Sequence, residues 1–211
     1  MNGLIHYIYG NGPGKTSSSF GKVIRAYGHG LKPIIIQFLK ESQGYLEKER
    51  KNLQDLPFNV QDLLEKYQNA FYKKSSKNKG FTYGEYITFT EFLNIPLIQI
   101  GDVTFLMPDM ESSPELIMKF KFGIELLERI FKSDNYDLVV LDEVNTAIKL
   151  GLIDVEELVP LLKNRNPKIE VILTGREKIP ELIEIADYVT QIVEEKHPLK
   201  KGIKARKGIE Y

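Results

Sequence analysis

Eight residues near the start of the chain, Tyr9-Gly10-Asn11-Gly12-Pro13-Gly14-Lys15-Thr16, have the composition of a phosphate cradle. Glycines let successive backbone amides turn inward around phosphate oxygens, and a helix beginning at the end of the loop adds partial positive charge. Lys15 is placed to reach the outer phosphates and the Thr16 hydroxyl to take a place on Mg²⁺. The first position departs from the common form, with Tyr9 where a glycine usually stands. A second pair, Asp142-Glu143, follows the apolar run Leu138 to Leu141. Carboxylates at the carboxyl end of such a strand face the ligand crevice of an open α/β sheet, and Asp142 is the natural Mg²⁺ partner. Glu143 suits water activation, a nucleotide sugar, or a cap on the next segment. A third element is Thr174-Gly175-Arg176, whose arginine at a sheet edge can stabilise phosphate charge. Arg25 is a weaker candidate.

These groups need a sheet to bring them together. Short apolar runs at Leu4 to Ile8, Ile34 to Phe38, Ile95 to Ile100, Leu138 to Leu141, Val171 to Leu173 and Tyr188 to Val193 alternate with helical patterns. That alternation predicts a mostly parallel sheet flanked by helices. Ser17 to Tyr27 reads as the helix behind the loop. Ser113-Pro114-Glu115 reads as a capped start for a helix whose stripe Leu116, Phe120, Ile124, Leu127 and Phe131 is core. Asp154 with Glu157 predicts a capping box, and Pro160 should kink or shorten the helix behind it. The stretch from 41 to about 80 breaks the rhythm. It is rich in Lys and Glu, and Val60, Leu63, Leu64, Tyr67 and Phe71 trace one helical face behind Asn59. It reads as a helical insertion in a single domain, and its apolar face demands a covering surface, either one side of the site, where the second substrate would lie, or a subunit contact.

Composition narrows the functions. Of 211 residues, 29 are Lys or Arg and 29 are Asp or Glu, so no net field favours nucleic acid or a membrane surface. With no cysteine, disulfides, thiolate zinc sites and a cysteine nucleophile are excluded. The N-terminal residues lack the pattern of a secretory signal and no apolar run spans a bilayer, which predicts a cytoplasmic protein.

The order of motifs then resembles one family. Gly10-Asn11-Gly12, Gly14-Lys15-Thr16, Phe20-Gly21, Arg25-Ala26, Gly28-His29-Gly30 and Gln37-Phe38 look like the opening of the P-loop type ATP:corrinoid adenosyltransferases. Val140 to Asn145, Thr174-Gly175-Arg176, Glu181-Leu182 and Ala186-Asp187 keep the family order. The basic tail, from Lys196-His197-Pro198 through Gly202-Ile203-Lys204-Ala205 to Gly208-Ile209-Glu210-Tyr211, is the most distinctive match. The resemblance implies a RecA-like P-loop fold and an enzyme that moves the 5′-deoxyadenosyl group of ATP to a Co(I) corrinoid, releasing triphosphate. It implies ATP contacts from Gly10, Asn11, Gly12, Pro13, Gly14, Lys15, Thr16, Ser17, Arg25, Glu143 and Arg176, with Lys15 and Arg176 as catalytic groups. Thr16 and Asp142 are the implied Mg²⁺ ligands. Family members hold Co(II) corrinoid without its lower axial ligand, by means of apolar side chains. The segment that corresponds here runs from Asp102 to Leu106, with Val103 and Phe105 as the apolar contacts and no tryptophan. A homodimer and a flavodoxin-like or other reductant are further implications.

Pro13 stands where the family usually has lysine, and the insertion falls just before Gly84-Glu85-Tyr86. Two other readings fit parts of the pattern. One is a P-loop NTPase or phosphotransferase using Glu143; thymidine-kinase-like enzymes share the loop and the Asp-Glu pair but carry zinc-binding cysteines. The other is a nucleotide- or corrinoid-binding module without turnover. The phosphate product separates all three.

Overall fold

The computed structural model describes residues 2–40, 53–67, 83–101 and 113–210. Six strands form the sheet: β1 (Ile5–Tyr9), β2 (Pro33–Phe38), β3 (Leu97–Ile100), β4 (Leu138–Asp142), β5 (Glu170–Gly175) and β6 (Tyr188–Gln191). Their spatial order is β3-β2-β4-β5-β1-β6 and each neighbouring pair is parallel. The helices are α1 (Lys15–Gly28), α2 (Gln61–Lys66), α3 (Gly84–Ile87), α4 (Pro114–Lys132), α5 (Val144–Lys149), α6 (Val155–Lys163) and α7 (Pro180–Ile185). A π-helical turn (Thr88–Phe92) follows α3, and a 3-10 turn (Pro198–Lys201) lies in the basic tail.

The strands alternate between two cores because successive side chains point to opposite faces. Ile34, Ile36 and Phe38 of β2 join the larger core with Phe120, Leu127 and Phe131 of α4. Ile35, between them, joins the smaller core with Phe20 and Val23 of α1 and with Tyr86 and Phe89. With both faces covered, the central strands read as unbroken apolar runs. At one edge β6 is exposed along its whole length.

The helix signals resolve unevenly. Ser113 caps α4, its Oγ accepting the Leu116 amide at 3.2 Å, with Pro114 at the first helical position. Asp154 accepts from the Glu156 amide at 2.8 Å, and the Glu157 amide bonds the Asp154 carbonyl. Among the described residues no Glu157 side-chain bond returns to the cap, so half of the expected box forms. α6 passes through Pro160 and ends at Lys163. A proline nitrogen has no hydrogen to give the carbonyl four residues back, which leaves Glu156 without that bond.

The described part of the 41–80 stretch has a partner within the same chain. Val60, Leu63 and Tyr67 are buried and join the larger core. The Tyr67 ring meets Phe122 of α4 edge-on at 6.0 Å, and the Tyr67 hydroxyl donates to Glu125 at 2.5 Å. Asp62 pairs with Arg129, and Lys66 with Glu125 at 2.6 Å. The surface this apolar face required is therefore α4; Phe71 lies outside the described residues. Replacing Leu63, 2% exposed, with alanine should cost roughly 2–5 kcal/mol. Thermal unfolding should register that loss while ATP affinity stays unchanged. An unshifted midpoint would mean that α2 contributes nothing to the core.

Candidate active site

Strand register assembles the base of the site. Gln99 of β3 sits opposite Gln37 of β2, and Gln37 opposite Asp142 of β4. Leu141 pairs with Leu173, which sets Asp142 beside Thr174. These four polar side chains form a rank across the carboxyl ends of four adjacent strands, and all are fully buried. Gln99 Nε2 donates to Gln37 Oε1 at 2.9 Å, and Gln37 Nε2 donates to Asp142 Oδ2 at 3.0 Å. Thr174 Oγ1 donates to Asp142 Oδ1 at 2.7 Å.

Over this rank lies the first turn of α1. Thr16 Oγ1 donates to Asp142 Oδ1 at 3.0 Å. Lys40, two residues past β2, brings its Nζ to 3.2 Å from Asp142 Oδ2 and 4.0 Å from Glu85. Asp142 thus accepts from two hydroxyls, an amide and an ammonium, which fills its acceptor capacity. Burial works against the Lys40 ammonium, but the carboxylates of Asp142 and Glu85 outweigh it and raise its pKa above the ordinary lysine value.

The glycine loop closes the site. Gly10 and Gly14 have φ of 126° and 105°, a region that L side chains rarely enter. Gly10 and Gly12 also lie against the backbone of Ile192 and Val193, where a Cβ would meet atoms at 2.1 and 2.7 Å. Residues leading out of β6 therefore buttress the loop. Lys15 is buried, and its Nζ donates to the Gly12 carbonyl at 2.9 Å. An ammonium has three hydrogens, so the same group can also serve phosphate oxygens. Burial lowers the Lys15 pKa; Glu143 opposes that shift, Arg176 adds to it, and Asp142 opposes it. These charged groups therefore share one electrostatic neighbourhood.

Glu143 leaves β4 in the left-handed region, with φ 59°. That conformation is rare outside glycine and here turns the chain sharply into α5. Its amide donates to Thr174 Oγ1 at 3.0 Å, and its Oε2 accepts from Thr146 Oγ1 at 2.6 Å. Thr146 Oγ1 also accepts the Arg176 amide at 3.1 Å. One hydroxyl thereby ties the carboxylate after β4 to the loop after β5.

A family described as ATP:corrinoid adenosyltransferase BtuR/CobO/CobP matches residues 1–80 and 70–211. The chain belongs to the ATP:corrinoid adenosyltransferases. It is 30% identical over 210 residues to a corrinoid adenosyltransferase of Sinorhizobium, covering 99% of this chain and 80% of that one. Corrinoid adenosyltransferases of Pseudomonas aeruginosa and Escherichia coli K12 are 29% and 28% identical, over 99% of this chain and 82% and 86% of theirs. A KaiC-like protein, PH0186 of Pyrococcus horikoshii OT3, is a distant structural likeness with TM-score 0.41 and 14% identity, over 93% of this chain and 75% of that one.

In this adenosyltransferase Gly10, Asn11, Gly12, Pro13, Gly14, Lys15, Thr16 and Ser17 make one continuous loop and helix start. Asp142, Glu143 and Arg176 lie at the neighbouring strand ends. The exposed Asn11 is held by the segment leading out of β6, its Oδ1 accepting the Glu194 amide at 3.2 Å. Arg176 is exposed, and among the described residues its guanidinium makes no hydrogen bond. Arg25 is not brought to the loop. It lies in the last turn of α1 and is exposed; ten residues of helix put it about 15 Å from Lys15 along the axis. Val103 and Phe105 lie outside the described residues. Sequence reasoning missed Lys40, Gln99 and Thr146 and gave Gln37 no role. A glutamine inside the run Ile34-Ile35-Ile36-Gln37-Phe38 was the available signal.

Proposed function

We propose that the chain aligns ATP across the glycine loop with its triphosphate toward Lys15 and Thr16, so that a Co(I) corrinoid attacks carbon 5′ of the ribose. The observation that carries this reading is the Thr16–Asp142 contact, with the buried Lys15 beside it. The cobalt nucleophile forms a bond to carbon 5′ while the bond from carbon 5′ to oxygen breaks and intact triphosphate leaves. The protein need form no covalent bond of its own. Its work is to align the reactants and stabilise charge on the departing oxygens. Lys15 and the loop amides suit that charge. Arg176, free to move, suits the outer phosphates, and Glu143 in its fixed conformation suits the ribose hydroxyls.

The donor set also fits Mg²⁺. Thr16 Oγ1 gives its hydrogen to Asp142 and keeps lone pairs for a hard cation, and oxygen ligands at such a site are what Mg²⁺ takes. Among the described residues no three His, Asp or Glu side chains converge as a metal cage, so the remaining ligands would be phosphate oxygens and water. When bound, the ion would neutralise triphosphate charge. Because Gln37 and Lys40 already occupy Asp142 Oδ2, the carboxylate suits a contact through water. A homodimer and an external reductant for the corrinoid complete the reading, both on family grounds.

The test is anaerobic incubation of the protein with ATP, Mg²⁺ and a chemically reduced Co(I) corrinoid. An alkyl-corrinoid with a light-sensitive spectrum should appear in equal amount to triphosphate. ADP and phosphate with unchanged corrinoid, or ATP binding with neither product, would overturn the proposal.

A further inference from the structure

At the amino end of β1, away from the glycine loop, lies a second constellation. His6 of β1 sits between Lys22 of α1 and Glu170 of β5. Its Nδ1 is 2.9 Å from Lys22 Nζ and its Nε2 is 2.5 Å from Glu170 Oε1. An ammonium can only donate, so Nδ1 accepts and the imidazole proton resides on Nε2, facing the carboxylate. The carboxylate and the imidazole are each held in turn. The other Glu170 oxygen accepts the Leu4 amide at 2.7 Å. The Tyr188 ring lies flat on the imidazole, with centroids 4.5 Å apart and planes 4° apart.

An amine, an imidazole and a carboxylate in this order have the connectivity by which a nucleophile is activated: nucleophile to base, base to orienting acid. We propose that Lys22 is a selectively reactive amine, served by the His6–Glu170 pair, and a site of acylation by small activated acyl donors of the acyl phosphate class. Adenosyl transfer makes no use of this cluster, and the proposal stands apart from that reading. Burial depresses the Lys22 pKa; Glu170 opposes the shift and Arg25 adds to it. The side chain is half-buried, which leaves room for a small donor.

The ammonium first loses one proton to water. Its lone pair then attacks the acyl carbon, the bond from that carbon to the phosphate oxygen breaks, and inorganic phosphate leaves. His6 Nδ1 takes the second amine proton as the carbon–nitrogen bond forms and passes it to solvent. The product is a neutral amide. It adds bulk beside the His6 ring and cancels a charge midway along the helix that begins with Lys15 and Thr16.

The experiment is timed incubation of the full chain with acetyl phosphate, followed by site-resolved mass spectrometry of every lysine. Lys22 should be modified about tenfold faster than the exposed lysines, a modest share of what a positioned base contributes in an enzyme. His6→Gln should bring Lys22 down to the common rate and leave the other lysines unchanged. If that variant loosens the fold, all lysines will speed up together, and Glu170→Gln, which keeps an acceptor for the Leu4 amide, repeats the test. A wild-type Lys22 rate within the spread of exposed lysines overturns the proposal. So does a Lys22 rate that is indifferent to both substitutions in a folded protein.

Discussion

Lys15→Ala should lower adenosyl-transfer turnover about a hundredfold to a thousandfold, the usual cost of losing one pre-placed donor to a developing anion. The expectation follows from where charge moves. Breaking the bond from carbon 5′ to oxygen leaves a new negative charge on a polyphosphate that is already highly charged. Lys15 is the buried cation of the loop that the proposed function sets against that polyphosphate, and it is anchored in advance by the Gly12 carbonyl at 2.9 Å. A solvated lysine would have to be ordered during the reaction; a buried one is already in place. Because the interaction grows in the transition state, kcat should fall more than the affinity for ATP changes. The fold should survive, since removing the ammonium frees only one carbonyl in a loop whose shape is set by Gly10 and Gly14. Steady-state kinetics at saturating ATP, with circular dichroism to verify folding, decides the matter. Turnover near that of the parent would remove Lys15 from the catalytic role.

What was legible in the sequence was what the chain encodes locally. A glycine loop between a strand and a helix, a carboxylate pair after an apolar run, and an arginine after another such run each declare a strand end. The sheet then brings strand ends together without further instruction. The buried rank was illegible because it depends on register. Gln37 and Gln99 are far apart in sequence, and only the pairing of parallel strands β2 and β3 sets them side by side. Lys40 follows the same logic: nothing local distinguishes it from other surface lysines, yet the end of β2 delivers it to Asp142. Thr146 matters because α5 curls back after the left-handed Glu143, a turn that no sequence periodicity announces. Amphipathicity shows that residues 60–67 need a covering surface, but a periodicity carries no address, and both the site and a second subunit satisfy it equally. The covering surface is α4, whose own stripe lies in the same core. Arg25 lies away from the loop for a geometric reason, since a continuous helix carries each residue about 1.5 Å further from its start.

The second large effect is expected at Asp142. In Asp142→Asn the carboxylate that neutralises Lys40 becomes an amide of nearly the same shape. The side chain keeps one acceptor, which can stay with Thr16 and Thr174, but the other position becomes a donor facing Gln37 Nε2 and Lys40 Nζ. Those two groups lie 3.0 and 3.2 Å away, where donor now opposes donor. Lys40 is left with Glu85, 4.0 Å distant, and with a side chain only 15% exposed. Breaking a buried ion pair by removing one partner typically costs about 3–5 kcal/mol, because the remaining charge is stranded. For a domain of this size that should lower the unfolding midpoint by roughly 10 °C. Turnover should fall as well, with half-saturation by Mg²⁺ moving to higher concentration if the carboxylate holds the ion through water. The two consequences separate in a double variant. Adding Lys40→Met to Asp142→Asn removes the stranded charge, so stability should largely return while the Mg²⁺ requirement stays altered. Non-additivity of this kind is what a double-mutant cycle measures. If the double variant unfolds at the temperature of Asp142→Asn alone, Lys40 is not the charge that Asp142 serves. If Mg²⁺ titrations of Asp142→Asn and the parent overlay, Asp142 is a structural acceptor beneath the loop and the metal is held without it.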